Sequence, residues 1–487
     1  MSLMNVLSLL GGLGLFLFGM KIMGEGLEKA AGQRLKRVLE MVTHNRVLAV
    51  LAGMTVTALI QSSGATTVMV VGFVNTGLLS LTQAIGVIMG ANIGTTVTSL
   101  MLSIKLNFAA IFAFLGLLLT SFGAKKHPAA SQFGQVAMGL GILFVGMDTM
   151  SGAMAPLRDW PVFREAMLSI SNPFLGVLIG LGITAILQSS SASVGILQAL
   201  AGEGLIPLRG AMFILFGMNI GSCVPSLIAC AGTTSAAKRA SMVHLLFNIL
   251  GSLLFTLIAM FLPLDELVLY LAPANARLQI AFTHVIFNIA TTLLLLPMAG
   301  VLERLACRLV PDDGGKTEAM KLQFFDKRLL NTPPIAAQQL FHEVQRMGDI
   351  ALANYAGSVA LFQEWDDERA AEINQNEEVL DFLNKEITAS LVEVKGLDLN
   401  DQDTRLVGSL FHVVNDIERI GDHAENVADA ARLRKETGIS ISKEAQRELG
   451  ELLDMVIKLI RYSVDMFARS DESHMQEVIA LEDSVDR

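Results

Sequence analysis

Two short polar runs interrupt otherwise apolar sequence: Gln61-Ser62-Ser63 and Gln188-Ser189-Ser190. Each offers an amide and two hydroxyls. If the run opens a helix, it also offers backbone N–H groups without partners, and helix N-termini attract anions by charge and hydrogen bonding together. Thr66 and Thr67 follow the first run, and Ser191 and Ser193 the second, adding neutral donors. No Arg or Lys lies within either motif. That chemistry suits a compact anion that must be both captured and released. Hydroxyls also hold apolar helices together, and a single Gln-Ser-Ser would be read that way; two in register favour binding. A second pair of runs, Gly90-Ala91-Asn92-Ile93-Gly94-Thr95-Thr96 and Gly217-Met218-Asn219-Ile220-Gly221-Ser222, sits farther along. Unwound backbone there, with Asn92, Thr95, Thr96, Asn219 and Ser222, supplies hard oxygen ligands for a small cation such as sodium. Simple helix kinks are the alternative.

The elements that position these runs are duplicated. A shift of 127 residues superposes Gly12-Leu13-Gly14 on Gly139-Leu140-Gly141, Gln61-Ser62-Ser63 on Gln188-Ser189-Ser190, and Asn92-Ile93-Gly94 on Asn219-Ile220-Gly221 without a gap. Between Gly53–Leu100 and Gly180–Leu227, 18 of 48 positions are identical. Repeats of this kind build secondary transporters, with the solute held at the repeat interface near the bilayer midplane. A span needs roughly 20 helical residues; the arms 47–60 and 173–187 are too short. We therefore expect two re-entrant hairpins with Gln-Ser-Ser at their tips, a backbone break tolerated only where it lines a cavity or is buried in protein.

Segments 82–102 and 209–229 are expected to cross as helices broken at Gly-x-Asn-Ile-Gly, and 3–23, 107–123, 131–151, 241–262 and 277–299 complete seven crossings. With the N-terminus outside, Arg34, Lys36, Arg37, Lys125, Lys126, Lys238, Arg239, Arg304 and Arg308 fall inside, as the enrichment of cytoplasmic loops in Lys and Arg requires. Three crossings per copy invert the second copy relative to the first.

Composition separates two solvents. The 487 residues carry a net charge of -10, but residues 1–317 hold 12 acidic and 18 basic residues, and 318–487 hold 34 and 18. The first part is lipid-facing and the second aqueous; the acidic balance also argues against a nucleic-acid partner. The expected domains are a membrane domain at 1–310, with repeats at about 1–127 and 128–300, a linker at 311–330 marked by Pro311-Asp312-Asp313-Gly314-Gly315-Lys316, and a helical domain at 331–487. The fold class is all-α. Cys223, Cys230 and Cys307 give no disulfide framework and read as small apolar side chains. Neither a P-loop with its Lys nor a nucleophile–base constellation occurs in the membrane half, so no enzyme class fits.

Ionisable residues at membrane depth are costly and often functional. His244-x-x-x-Asn248 and His284-x-x-x-Asn288 each place a pair on one helix face, open to an interhelical hydrogen-bond role or a proton or substrate role. Lys21 and Asp148 occupy matching positions in the two copies and read as interfacial, not as a buried pair.

Gln61-Ser62-Ser63-Gly64-Ala65-Thr66, Gly90-Ala91-Asn92-Ile93-Gly94-Thr95-Thr96, Gln188-Ser189-Ser190-Ser191-Ala192-Ser193 and Gly217-Met218-Asn219-Ile220-Gly221 resemble, in order, the signature of the type II sodium-phosphate cotransporters. The resemblance covers about residues 1–310. It implies sodium-coupled movement of inorganic phosphate, bound by Gln61, Ser62, Ser63, Thr66, Gln188, Ser189, Ser190, Ser191 and Ser193, in a multi-pass protein of the bacterial inner membrane, with a homodimer open. Gly64 against Ser191 removes one hydroxyl, and Thr98 against Pro225 bends the second copy more than the first. The residues alone indicate only a small anion.

In the tail, 335–363, 368–393, 402–434 and 442–469 read as helices. Leu406, Leu410, Val413, Ile417, Ile420, Ala424 and Val427 form the bundle-facing stripe of the third. Beside it Asn415, Glu418, Asp422, Asn426 and Asp429 form a polar face, ordinarily solvated. The run Asn415-Asp416-Ile417-Glu418-Arg419-Ile420-Gly421-Asp422-His423-Ala424-Glu425-Asn426 resembles the signature helix of PhoU domains. That resemblance implies a cytoplasmic bundle that senses or restrains transport, with Glu418 and Asp422 as ligands of a divalent or iron metal ion. A second PhoU-like copy starts near Ser442 and breaks off, so the natural chain is expected to continue past Arg487.

Overall fold

The computed structural model describes residues 3–31, 45–104, 106, 108–123, 128–160, 172–311, 320–397 and 399–486, and all regular elements among them are helical. The basic residues Arg34, Lys36, Arg37, Lys125 and Lys126, and most of the Pro311–Lys316 cluster, lie outside the described residues. The chain divides into two compact units, Met1–Gly315 and Lys316–Arg487.

The first unit holds α1 (Leu3–Ala31), the hairpin arms α2 (Arg46–Ile60) and α3 (Ser63–Asn75), α4 (Leu81–Leu102), α5 (Ala109–Leu118) and α6 (Pro128–Met154). The second copy continues with arms α7 (Pro173–Leu187) and α8 (Ser190–Gly202), then α9 (Leu208–Gly221), α10 (Val224–Ala229) and α11 (Ser235–Phe261). Short α12 (Leu264–Leu271), long α13 (Ala276–Leu295) and interfacial-length α14 (Ala299–Leu309) follow. Among the described residues, six helical stretches are long and apolar enough to cross a membrane: Leu3–Ala30, Leu81–Leu102, Ala130–Leu157, Leu208–Ala229, Ser235–Phe261 and Ala276–Leu295. Exposed Leu7, Leu10, Phe18, Leu253 and Leu293 on their outer faces require lipid rather than water. The protein is a multi-pass membrane protein.

Two expectations change. Segment 107–123 forms a shorter apolar helix, Ala109–Phe122, whose last turn widens to π geometry over Leu119–Gly123. Its 14 described residues are fewer than the roughly 20 of a full span, but it lies antiparallel to α6, Gly116 against Gly134 and Ala113 against Gly141, as a third crossing of the first copy requires. The first Gly-x-Asn-Ile-Gly does not break its helix either: α4 runs unbroken from Leu81 to Leu102. Only the second copy breaks, at Ser222–Cys223, directly before Pro225. The cause is local. Proline lacks the N–H and its ring clashes with the preceding turn, whereas Thr98 at the matching position keeps the helical bond.

Glycine seats the helices. A Cβ on Gly90 would land on the Val50 carbonyl oxygen of α2, and one on its counterpart Gly217 on the Val177 carbonyl of α7. Gly53 and Gly180 are equally closed by Val87 and Ile214 carbonyls. Thus each first hairpin arm lies backbone to backbone on its neighbour, the close approach that small residues permit in membranes. The first helices of the two copies meet through the same glycines: Gly12 faces Gly146, and Gly19 faces Gly139. As α1 advances α6 recedes, so the two run antiparallel. Under the 127-residue shift the first pair maps onto the second.

In the second unit, α15 (Pro333–Gln363), α16 (Asp367–Lys395) and α17 (Asp401–Thr437) pack as a three-helix bundle, followed by α18 (Lys443–Arg469) and α19 (Met475–Val485). The buried line on α17 is Val407, Leu410, Val414, Ile417, Gly421, Ala424, Ala428 and Ala431, partly one residue off the expected stripe; Leu406 and Val413 are half-buried. Ile420 and Val427 instead pack with Tyr355, Val359 and Ile460, a second cluster shared with α18. Buried Glu343 holds the segment before α15, accepting from the Phe324 and Phe325 N–H groups and pairing with Arg346 Nε at 3.0 Å.

Candidate functional site

At both tips the backbone makes the same turn. Gln61 ends α2 in the left-handed region at φ 59°, and Gln188 ends α7 at φ 51°. Ser62 and Ser189 then swing to extended conformation at φ -146° and -141°, and each side chain caps the next arm, accepting from Ala65 N at 3.1 Å and Ala192 N at 3.2 Å. Non-glycine residues adopt positive φ at a cost, and such strain gathers at functional sites. The turn brings the arms back on themselves: the Thr57 hydroxyl donates to Thr66 Oγ1 at 2.9 Å, a separation a straight helix would stretch to about 13 Å.

The tips of the two copies meet. Ser63 Oγ and Ser190 Oγ, 127 residues apart, stand 3.5 Å from each other. Two helix N-termini therefore converge with their serines, and among the described residues no ion pair lies at these tips. Around them the first copy is braced and the second is not. Thr98 donates to Gln61 Oε1 at 2.8 Å, and Gln61 is buried. Gln188 is exposed. Gly64 leaves a gap closed by Pro225, whose ring carbon would stand 3.6 Å from a Cβ. Thr184, the counterpart of Thr57, is buried with its hydroxyl unpaired.

The hydroxyls expected at the site divide into spent and available. Thr66, Thr67 and Ser193 donate to carbonyls of Ser62, Ser63 and Ser189, at 3.0, 2.9 and 2.9 Å. Ser62 and Ser189, as caps, accept from the Ala65 and Ala192 N–H groups but keep their own O–H hydrogens. Ser63, Ser190 and Ser191 stand at the start of α3 and α8.

In the second polar pair, Asn92, Thr95 and Thr96 donate within α4 to Ile88, Ala91 and Ile93 carbonyls, and Asn219 to Leu215. Ser222 donates to the Asn219 carbonyl at 2.6 Å, at the break. All five are buried. Those side chains leave lone pairs on hydroxyl and amide oxygens, but α4 offers no unwound carbonyls.

Sequence reasoning missed several members. Ser99 Oγ lies 2.7 Å from His284 Nδ1, and Ser226 Oγ 3.2 Å from His244 Nδ1; the two serines are again 127 apart, so both histidines make interhelical hydrogen bonds. Gln198 donates to the Ser99 and Arg277 carbonyls at 2.9 and 3.1 Å. Buried Arg277 donates to Ser151 Oγ at 3.0 Å and stands 3.9 Å from Asp148, while Lys21 faces Glu25. The signal for Ser99 and Ser226 was present in the repeat; Arg277 and Gln198 have none.

In the second unit, Glu418 and Asp422 lie beside Glu377 of α16. Burial, then the negative charges of Asp381, Asp422, Glu425 and Glu418, push the Glu377 carboxyl up to about 7. Gly421 makes this possible, because a Cβ there would stand 3.1 Å from Glu377 Oε2. Among the described residues, however, no three His, Cys, Asp or Glu side chains come together closely enough to hold a metal ion. Glu418 and Asp422, the expected metal pair, lie one turn apart on α17 and add their charge to that of Glu377.

Comparison with known proteins bears on both units. The Na+/Pi-cotransporter family profile matches residues 15–152 and 163–271, and the PhoU domain profile residues 344–431. The putative inorganic phosphate export protein YjbB of Salmonella typhimurium is 26% identical over 475 residues, 96% of this chain and 86% of that protein. YqeW of Bacillus subtilis, an uncharacterized protein, is 33% identical over 301 residues, 61% of this chain and 95% of that one. Sodium-dependent phosphate transport protein 2C of Rattus norvegicus is 34% identical over 131 residues, 26% of this chain and 21% of that protein. No solved structure matches the chain. With the repeated helical hairpins, the six apolar spans and these matches together, the chain belongs to the Na+/Pi-cotransporter family: it is a membrane transporter of a phosphate-transporting family, not an enzyme, and it carries a C-terminal PhoU domain.

Proposed function

We propose that the protein moves inorganic phosphate across a bacterial inner membrane in exchange with the free energy of a sodium gradient, binding the anion between the tips of α3 and α8. The observation that carries this reading is the meeting of Ser63 and Ser190 at 3.5 Å. Two N-terminal helix ends converge there, so their partial positive charges add on one anion. Ser62, Ser63, Ser189, Ser190, Ser191 and Gln188 orient phosphate oxygens, while Gln61, Thr66 and Ser193 hold the turns in shape. Sodium ions on Asn92, Thr95, Thr96, Asn219 and Ser222 supply the positive charge that the neutral tips lack.

The antiparallel meeting of α1 with α6, through Gly12–Gly146 and Gly19–Gly139, supports an inverted relation of the copies. Inversion gives the site two equivalent routes of approach, one from each side, and alternation between them is transport. In this arrangement the PhoU unit is cytoplasmic and restrains the membrane unit.

Full-length protein in liposomes, loaded with labelled phosphate on one side, tests the reading. Flux should appear only with a sodium gradient and vanish in Ser63→Leu and Ser190→Leu variants that remain folded. Sodium-independent flux defeats the coupling, and full flux in either variant defeats the site. The similarity to YjbB over both units supports phosphate efflux as the second reading, since symport down an inward sodium gradient carries phosphate inward. Phosphate retention in cells lacking the protein, compared with cells overproducing it, decides that question separately.

A further inference from the structure

A nine-residue run with His, Phe, Asn and Ile in common recurs on the two long helices that flank the hairpins: His244-Leu-Leu-Phe-Asn248-Ile-Leu-Gly251-Ser252 on α11, and His284-Val-Ile-Phe-Asn288-Ile-Ala-Thr291-Thr292 on α13. His244 reaches Ser226 and His284 reaches Ser99, so α13 stands toward the first copy as α11 stands toward the second. Both asparagines are fully buried, and each Nδ2 donates at 3.0 Å to the carbonyl of the histidine one turn back. That leaves both Oδ1 atoms without a partner.

Beyond the asparagine the two runs diverge. On α11, Asn248 also donates to Cys223 Sγ at 3.3 Å, Gly251 has no side chain, and Ser252 donates to the Phe216 carbonyl at 2.7 Å. On α13, Thr291 is 0% and Thr292 3% exposed, yet neither hydroxyl has a partner. A buried helical threonine ordinarily donates to the carbonyl four residues back, as Thr283 does to Gln279 at 2.9 Å. Positions 288, 291 and 292 lie at i, i+3 and i+4, on one helix face. Three buried oxygens therefore crowd one patch without hydrogen bonds. Gly251 lets α11 approach this face closely: a Cβ there would stand 2.8 Å from Thr291 Cγ2 and 3.0 Å from its Oγ1.

We propose that Asn288 Oδ1, Thr291 Oγ1 and Thr292 Oγ1 form a binding site for a monovalent, sodium-sized cation on α13. Buried oxygens left without donors are costly in apolar surroundings, and a hard cation is the occupant that satisfies several lone pairs at once. All three ligands are neutral, which suits a single positive charge; sites for divalent ions bring in carboxylates. The counterpart run on α11 has its hydroxyl spent and a glycine in place of Thr291, so the site is single despite the duplication. Under the 127-residue shift Cys223, the neighbour of Asn248, becomes Thr96 of α4, the helix that packs against α13 and carries hydroxyls assigned to sodium above. The identity of the ion as the coupling ion rests on that reading.

Thermal unfolding of the purified full-length protein in choline chloride, titrated with sodium or potassium chloride, tests the site. Sodium should raise the midpoint of the wild type at concentrations where choline and potassium do not. Thr291→Val/Thr292→Val should unfold at the same or a higher temperature in choline, because unpaired buried hydroxyls are removed, and should need at least tenfold more sodium for half the shift. Thr292→Ser should respond as wild type. Should the double variant not fold, Asn288→Asp takes its place: a ligand charge should lower the sodium requirement at least threefold. A half-maximal concentration within twofold of wild type in the variant used overturns the proposal. A wild-type response absent, or equal for potassium and choline, also overturns it and leaves ordered water on these oxygens. Phosphate flux is measured on the same preparations. Flux indifferent to sodium alongside an intact sodium-dependent shift removes the coupling reading and leaves the site standing.

Discussion

At the tip of the first hairpin, buried Gln61 accepts from Thr98 at 2.8 Å, and Thr57 bonds to Thr66 across the turn. At the tip of the second, Gln188 has nearly the same backbone, φ 51° against 59°, but lies exposed; Pro225 replaces Thr98, and Thr184 has an unpaired hydroxyl. The duplication has kept what shapes the backbone and let go of what braces the side chains. Two serines that meet across a pseudo-symmetric interface need equal turns to meet at all. Bracing can differ, and the unbraced tip is the one with fewer interactions to give up when the site changes its exposure.

The comparison is first broken or upheld at the glycines, where the copies should behave alike. In both Gly90→Ala and Gly217→Ala the added Cβ falls on a carbonyl oxygen of the hairpin arm. Each should cost about 3 kcal/mol or more, as overpacking against backbone does. Thermal unfolding in detergent measures it; one variant tolerated and the other not would mean that the two seats are not equivalent.

Next come the positions where the copies should differ. Thr98→Pro imports the second copy's break into α4 and should cost about 3 kcal/mol, with Gln61 becoming accessible to solvent. Thr98→Val keeps α4 intact and removes only the donor to Gln61 Oε1, leaving a buried acceptor unpaired at about 1–3 kcal/mol. If Thr98→Val were silent in both stability and flux, the brace at the first tip would have no energetic content and the asymmetry would be incidental.

Much of this geometry was legible from residue order. The arms read as 47–60 and 173–187 are helices at Arg46–Ile60 and Pro173–Leu187, because polar Gln-Ser-Ser cuts an apolar run too short to span. The tail helices were legible for the opposite reason, since long amphipathic periods with Asn400, Asp366 and Ser442 as N-caps leave little freedom. The supposed break in α4 was not. Gly90 and Gly94 look like helix breakers, but they serve close packing against α2, and in the second copy the break belongs to Pro225, eight residues past Gly217. Segment 107–123 was legible as an apolar helix, but hydropathy does not register the π widening of its last described turn. Thr57 and Thr184 are identical in register and were passed over, since a threonine in an apolar arm is ordinarily a hydroxyl returned to its own helix.

Those two threonines give the finest separation of the copies. Thr57→Val breaks a buried hydroxyl–hydroxyl bond and leaves Thr66 Oγ1 without the hydrogen it accepts, at about 1 kcal/mol. Thr184→Val removes a hydroxyl that bonds nothing, replacing it with a methyl of similar shape in a fully buried position. That change should be neutral or stabilise by up to about 1 kcal/mol, because the desolvation cost of an unpaired group disappears. Identical substitutions at positions 127 residues apart should thus have opposite signs in the same unfolding assay. Equal destabilisation by both would show that Thr184 finds a partner when the second tip closes, and the second hairpin would then share the brace of the first in another state of the cycle.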